Sequence, residues 1–433
     1  MAWGTKTRIP LGVCSPPSLL SEQLKKKEAV VYTDNGNRST NGHELLRTLE
    51  PLLPKLGISR VADISSLEVG SFPVFQTVRP HLFTHSISGQ NTGSQGKGTT
   101  AIQAQLSCIM EGLETYCAEP KELHLIRGSY KDISKSHLAI NPQAFLSYFT
   151  PDPIQLEEPI MWEEVYSVEL DDCVMIPAQL IYFPFHPYDY NCRFIYPPTS
   201  NGLASGATYL EAVIHALYET IERHYMSWEQ QDGNLCHELL LEDSLSVIEA
   251  GHVSASEFRL FITLLPDVEK DLPFVVCQMR ESKVVGYGCS SNLRMSIERA
   301  VSECLQSHAT VTSGSREDLS WRTVRSFPKR FTKKHQVDQI YRESELSNQI
   351  INRGFITLQE EYQFIRTWLT QQGFNTILIA NLTRRGIDIP VVKTIIPGLG
   401  MPIYMRGIYE KGVLQRTEDT IVAYQYPTIR TQE

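Results

Sequence analysis

Two stretches of this chain repeat one helical design: GTTAIQAQLSCIMEGLETY over 98–116 and GATYLEAVIHALYETIERH over 206–224 align without a gap. Gly98 falls on Gly206, Ala104 on Ala212, Glu111 on Glu219 and Glu114 on Glu222. Each opens with a capping-box pattern, Thr100 with Gln103 and Thr208 with Glu211, which would satisfy orphan amides of the first turn. Each then carries apolar residues at helical spacing: Ile102, Leu106, Ile109 and Leu113 in one, Val213, Leu217 and Ile221 in the other. Whatever this chain folds into has to accommodate two similar helices bearing the same carboxylate pair.

Residues three or four apart share a helix face. Ser107, Glu111 and Glu114 therefore form one polar stripe, and His215, Glu219 and Glu222 a second, with Arg223 adjacent. A third helix, expected over about 294–308, offers Glu303 and Gln306 at the same spacing. Carboxylates on apolar helices cost several kcal/mol each to bury unless a cation or donor compensates them. A single E-x-x-E is ordinarily a solvated face making ordinary ion pairs; two aligned helices and a third pair point instead to one shared site. Mg²⁺ suits it, being a hard ion that takes carboxylate, phosphate and water oxygens together. Glu111, Glu114, Glu219 and Glu222 are the expected metal ligands.

A phosphate contact is expected at Lys97, in the Gly-Lys-Gly of SQGKGTT (94–100), just before the first of these helices. The segment is not a Walker A motif: Asn91 stands where its first glycine would be, and Gly98 follows the lysine in place of Ser or Thr.

The 433 residues suffice for one large domain or a few packed subdomains. With 49 acidic against 40 basic side chains and no basic run, sequence-independent nucleic-acid binding is not expected. Nine cysteines are scattered without a C-x-x-C pair, which reads as free, mostly buried thiols in a reducing compartment. The N-terminal twenty residues have no long apolar stretch and no apolar run elsewhere approaches a membrane span, so a cytoplasmic protein is expected.

Prolines 10, 16 and 17 mark irregular opening chain, and 44–56 has helical spacing broken by Pro51 and Pro54. From Arg60 strand-like runs alternate with longer helical patterns, among them VADISSLEVGSFPVFQTVRP as strands around a turn and ILIANLT and VVKTIIPGL near the end. Strands interspersed with long helices predict an α+β, mixed α/β domain. Residues 1–59 form an expected N-terminal extension and 60–433 the main domain.

These motifs resemble the YcaO family. Its nucleotide site is written as Ser-x3-Glu-x2-Glu on one helix, matched by Ser107, Glu111 and Glu114. A second helix carries Gln-x3-Glu-x2-Glu-Arg, matched at Glu219, Glu222 and Arg223, and a further Glu/Gln helix follows, similar to Glu303 and Gln306 in AVSECLQS. The likeness covers roughly residues 60–410. It implies β-sheets packed against long helices that form an ATP site, with ATP and Mg²⁺ as cofactors. It further implies Glu111, Glu222 and Arg223 as the catalytic set, and Lys97, Ser107, Glu114, Glu219, Arg223, Glu303 and Gln306 as nucleotide contacts. The sequence departs from the family at Thr115, where arginine is common, at His215 for the frequent glutamine, and at His308.

The implied reaction is ATP-dependent phosphorylation of a backbone amide oxygen in a ribosomally made peptide or protein. The ending IVAYQYPTIRTQE lacks the Pro-x-Pro-x-Pro tail of many azoline-forming members, and 53–80 looks similar to the opening of stand-alone members that work with a TfuA partner. Thioamide formation with a TfuA-like protein is therefore the first expectation. Azoline or amidine formation is the second. A non-catalytic nucleotide-binding accessory to a ribosomal-protein methylthiotransferase is the third. No nucleic-acid or membrane partner is expected, and a homodimer is the base-rate expectation.

Other residues read as structural. Arg79 serves equally as an ion-pair partner or a substrate contact; Asp171 and Asp172 form a turn; Cys108 and Cys304 suit packing better than nucleophilic attack. The aromatic loop 183–198 packs over a sheet edge rather than lining a peptide groove. His81, His85 and His186 have no metal-like spacing.

Overall fold

The opening residues meet the rest of the chain from the first helix onward. A computed structural model describes residues 17–33, 36–67, 72–80, 93–120, 125–145, 154–185, 187–196, 199–229, 235–240, 248–249, 254, 257–263, 271–280, 284–314, 336–342, 345 and 353–399. Helix α1 (Pro17–Lys25) is followed by a short hairpin of β1 (Tyr32–Thr33) and β2 (Asn37–Arg38), then by α2 (Gly42–Leu49). A 3₁₀ turn over Glu50–Leu52 ends α2 at Pro51, as the proline spacing predicts. Leu20, Leu24, Leu49 and Leu56 from this region are fully or almost fully buried.

Three larger sheets follow among the described residues. The first is an antiparallel meander of β3 (Arg60–Asp63), β4 (Val74–Val78) and β5 (Gly93–Lys97). It is covered by α3 (Ala101–Ala118), whose capping box of Thr100 and Gln103 forms as expected. The second holds β6 (Ile126–Gly128), β7 (Ile160–Ser167), β8 (Asp172–Pro177) and β9 (Leu203–Ser205), with a four-residue helix, α4 (Tyr130–Ile133), after β6. Asp171, with φ of 49°, sits in the turn between β7 and β8. Helix α5 (Tyr209–Glu229) leads to the third sheet. That sheet contains β10 (Leu235–Leu240), β11 (Phe258–Thr263), β12 (Phe274–Met279), β13 (Val285–Cys289) and, beyond helix α6 (Leu293–Ser313), β14 (Gln336–Arg342). Its order is β13-β12-β11-β10-β14, antiparallel except for the β10–β14 pair. After α7 (Leu358–Gln371), strands β15 (Leu378–Asn381) and β16 (Val391–Ile395) complete the second sheet in the order β6-β7-β15-β16-β9, with β8 on β7. The result is the mixed helix-and-sheet architecture the alternating patterns predict.

Side chains of β15 and β16 alternate strictly between two cores. Leu378, Ala380, Val391 and Ile395 join the core shared with α3; Ile379, Val392 and Ile396 join the one shared with α5. The two motif helices thus cover opposite faces of one sheet. A third core unites α6 with β10–β12 and with Phe72 and Val74.

The third helix repeats a packing device of the first. A Cβ on Gly96 of β5 would lie 2.1 Å from the Ala104 oxygen and the Cys108 nitrogen of α3; one on Gly286 of β13 would lie 2.2 Å from the Ala300 oxygen and the Cys304 nitrogen of α6. Each helix backbone rests directly on a glycine of its strand, with a cysteine at the contact. This explains Cys108 and Cys304 as small packing residues; both are fully buried and free, and burial pushes the Cys108 thiol far up, which removes any nucleophilic role. It also predicts that Gly96→Ala costs about 3 kcal/mol or more, because two backbones would have to separate. Urea unfolding would report it; a cost under about 1 kcal/mol would mean the contact is not tight.

The expectation of free thiols is corrected at Cys173, which is disulfide-bonded. Spacing speaks only to local pairs, and this residue lies half-buried at the start of β8, open to a partner distant in sequence. Arg79 is structural: it pairs with Glu119, donates to the Leu56 carbonyl at 2.9 Å and lies over the Tyr116 ring. The aromatic loop packs inward, with Phe185, Cys192, Ile195 and Tyr196 buried in the core beside β7 and β8. His81, His85, His186 and the terminal segment 421–433 lie outside the described residues.

Candidate active site

The carboxylate stripes of α3, α5 and α6 converge. On α3, Glu111 accepts a hydrogen bond from the Gln95 amide of β5 at 2.7 Å, and Gln306 of α6 donates to the Gln95 carbonyl at 2.9 Å. The Gln95 side chain also meets Thr310 of α6. One residue of β5 thereby ties the first helix to the third. Glu114 crosses to β9, accepting from the Ser205 amide at 2.8 Å and its hydroxyl at 2.6 Å. Arg223 lies 2.7 Å from Glu222 and 3.7 Å from Glu219, and Lys97 lies 3.5 Å from Glu303. Ser107 is half-buried one turn before Glu111. Every sequence-expected site residue lies on one of these elements.

Electrostatics show a site short of positive charge. Burial raises Glu114 to about 8; the Ser205 hydrogen bond opposes this, while Glu219 and Glu111 add to it. Burial likewise raises Glu219 to about 7, with Glu222 and Glu303 reinforcing the rise and Arg223 and Arg299 opposing it. Burial raises Glu222 too, against the pull of Arg223 and with the push of Glu303. Glu219 keeps 21% of its side chain open to solvent, while Glu222 is almost fully buried. Carboxylates that raise one another in this way are the donor set a divalent cation would relieve.

Among the described residues, no three His, Cys, Asp or Glu side chains converge closely enough to hold a metal ion by themselves. Mg²⁺ takes one or two carboxylates and completes its shell with phosphate and water oxygens. Glu111, Glu114, Glu219 and Glu222 would hold it.

Four positions beside these carboxylates escaped the sequence reading. Gln95 and Ser205 lie on strands just before the two motif helices and meet the carboxylates through their backbone amides, which no side-chain pattern marks. Lys393 of β16 is 1% exposed, donates to the Thr199 carbonyl at 2.6 Å, and is pushed by burial down to about 7, with Glu219 partly restoring it. A lysine within the apolar run VVKTII was the available signal, since a lysine is almost never fully buried without a reason. Arg299 lies over the Tyr218 ring at 5.9 Å, and its charge favours the ionised forms of Glu219 and Glu222.

The family model described as YcaO cyclodehydratase, ATP- and Mg²⁺-binding, matches residues 95–400. An uncharacterized protein of Methanothermobacter thermautotrophicus is 26% identical over 385 residues, covering 82% of this chain and 93% of its own length. An uncharacterized protein in the tfuA 3' region of Rhizobium leguminosarum bv. trifolii is 26% identical over 409 residues, 89% of this chain and 93% of its own. YcaO from Methanopyrus kandleri, solved with AMPPCP and Mg²⁺, superposes with a TM-score of 0.67 at 22% identity over 90% of this chain and 99% of that one. At that identity the last likeness is one of fold. Among the described residues, no helix is long and apolar enough to cross a membrane.

Proposed function

The chain belongs to the ATP- and Mg²⁺-binding YcaO family, and from that premise we propose that it activates a backbone amide of a ribosomally made peptide or protein, forming a thioamide beside a TfuA-like partner. The observation that carries the site is the convergence of Glu111 and Glu114 with Glu219 and Glu222, whose mutual repulsion a Mg·ATP complex would relieve. In its role as cofactor, ATP supplies a phosphoryl group to the amide oxygen after sulfide attacks the carbonyl carbon; amide, sulfide and ATP become thioamide, ADP and phosphate.

The chain's own residues set up that transfer. The four glutamates would hold the metal ions that carry the phosphates. Arg223, held by Glu219 and Glu222, would supply a cation to the charge that develops on the transferring group. Lys97 and Gln306 extend the contact surface towards α6 and β5. The thioamide reading rests on the Rhizobium relative encoded beside tfuA and on the 53–80 segment. The family description as cyclodehydratases favours a second reading, azoline formation, in which a Cys, Ser or Thr side chain of the substrate replaces sulfide.

One experiment separates them. The purified chain is incubated with Mg·ATP, sulfide, a TfuA-like protein and a candidate precursor peptide, and the peptide is weighed by mass spectrometry. Exchange of oxygen for sulfur is expected. Loss of one water instead establishes the azoline reading, and an unmodified peptide with no peptide-dependent ATP turnover leaves only an accessory role.

A further inference from the structure

Strand β16 grips one loop from both faces of its sheet. Lys393 lies opposite Ala380 of β15 and Leu203 of β9, and Thr394 lies opposite Ile379 of β15. Ala380 and Leu203 belong to the core shared with α3, and Ile379 to the one shared with α5. Lys393 therefore points to the α3 side and Thr394 to the α5 side. On the α3 side, the Lys393 ammonium donates to the Thr199 carbonyl at 2.6 Å. On the α5 side, the Thr394 hydroxyl lies 2.9 Å from that of Thr220, the residue after Glu219. The Thr394 amide donates to the Gly202 carbonyl at 2.8 Å. Gly202, with φ of 72°, permits this approach: a Cβ there would lie 2.4 Å from the Thr394 oxygen and 2.7 Å from the Thr220 hydroxyl. Residues 199–202 are thus held by two adjacent residues of one strand, each acting from its own face.

The loop runs directly into β9, whose last residue anchors a carboxylate of the site. Ser205 gives Glu114 both its amide and its hydroxyl, at 2.8 and 2.6 Å. Ser205 lies opposite Val391, two residues before Lys393, so Lys393 and Ser205 are diagonal neighbours on one face of the β9–β16 pair. A neutral donor would satisfy the Thr199 carbonyl as well, and an ammonium is strongly disfavoured inside an apolar strand unless its charge is used. Lys393 is 1% exposed on the face where Ser205 meets Glu114, and Glu219 favours its charged form. The lysine thus joins a backbone clamp to the carboxylates of both motif helices.

We propose that Lys393 and Thr394 are positioning residues of the metal site: by fixing residues 199–202 they hold Ser205 against Glu114, and so set the Glu114 carboxylate of α3 relative to the Glu219 carboxylate of α5. The inference rests on the reading of these glutamates as Mg²⁺ ligands given above. Loosening the clamp lets Ser205 and Glu114 shift together, so the requirement for Mg²⁺ rises in a protein that is still folded.

The test uses the full chain. Lys393→Met keeps the stem and removes the charged donor; it is compared with Ser205→Ala and with the two combined. Mg²⁺ is titrated calorimetrically at fixed ATP, with thermal unfolding recorded alongside. The Mg²⁺ concentration at half-saturation is expected to rise about fivefold for Lys393→Met and about threefold for Ser205→Ala. The double variant is expected to lose less than the product of the two, because both act through Glu114. A purely structural role would lower the unfolding midpoint and leave the Mg²⁺ requirement unchanged. Thr394→Val, which removes only the hydroxyl to Thr220, takes the place of Lys393→Met in the same cycle should that protein not fold. An unchanged Mg²⁺ requirement, or losses that simply multiply, overturns the inference and leaves the nucleotide site intact. Wild type that binds no Mg·ATP overturns both.

Discussion

Glu222→Gln is expected to weaken Mg·ATP binding by at least about tenfold, equivalent to about 1.4 kcal/mol, and to raise the thermal midpoint of the ligand-free protein. Both directions follow from one geometry. Glu222 is 5% exposed, and burial together with Glu303 opposes its charge more than Arg223, Arg299 and Lys97 support it. Glutamine keeps the shape and removes the charge, so the ligand-free protein loses a repulsion it holds only for its ligand. Arg223 retains Glu219 at 3.7 Å and is not stranded. With Mg·ATP present the balance reverses, because an amide oxygen is a far poorer partner for a hard divalent ion than a carboxylate. Calorimetric titration and thermal unfolding of the two proteins measure both effects. Equal affinity would remove Glu222 from the metal site; lower ligand-free stability would mean the carboxylate is compensated already.

A second large effect is expected in the pH dependence. Glu114 is raised to about 8 and Glu219 to about 7, against an ordinary value near 4.3 for an unfolded chain. A carboxylate with a raised folded value binds protons more tightly when folded. Its stabilising contribution is fully present below about pH 4.3 and is lost as pH rises through the folded value. Ligand-free stability should therefore fall between about pH 5 and pH 8, at about 1.4 kcal/mol for each pH unit in which one such group is protonated folded and ionised unfolded. Mg·ATP binds the ionised form, so the stabilisation it confers should grow across the same window. Unfolding midpoints recorded over this range with and without Mg·ATP test the prediction. A flat or rising ligand-free profile would show that the glutamates keep ordinary proton affinities.

The motif helices were legible because their information is local. A 3.6-residue period places Glu111 with Glu114 and Glu219 with Glu222 on single faces, whatever else the chain does. The same locality explains the errors of reach. Thr208 and Glu211 satisfy the capping-box pattern as well as Thr100 and Gln103 do, yet Glu211 is drawn away by Arg38 and Ser39, which lie far upstream. The packing that α6 shares with α3 was not legible, because it resides in Gly96 and Gly286 pressed against helix backbones far away in sequence. Lys393 reads as an interruption in an apolar strand until the sheet shows it sealed beneath the Thr199 carbonyl.

By itself, then, the sequence determined the helices, the faces that carry their carboxylates and the family to which those spacings point, since helical periodicity depends on near neighbours alone. Only the tertiary structure decided that α3 and α5 lie on opposite faces of one sheet with their carboxylates near enough to act on one another, and that Gln95, Ser205 and Lys393 lie beside them. Those residues are brought in by strand pairing and helix packing between elements far apart in the chain, and no short-range pattern records such contacts.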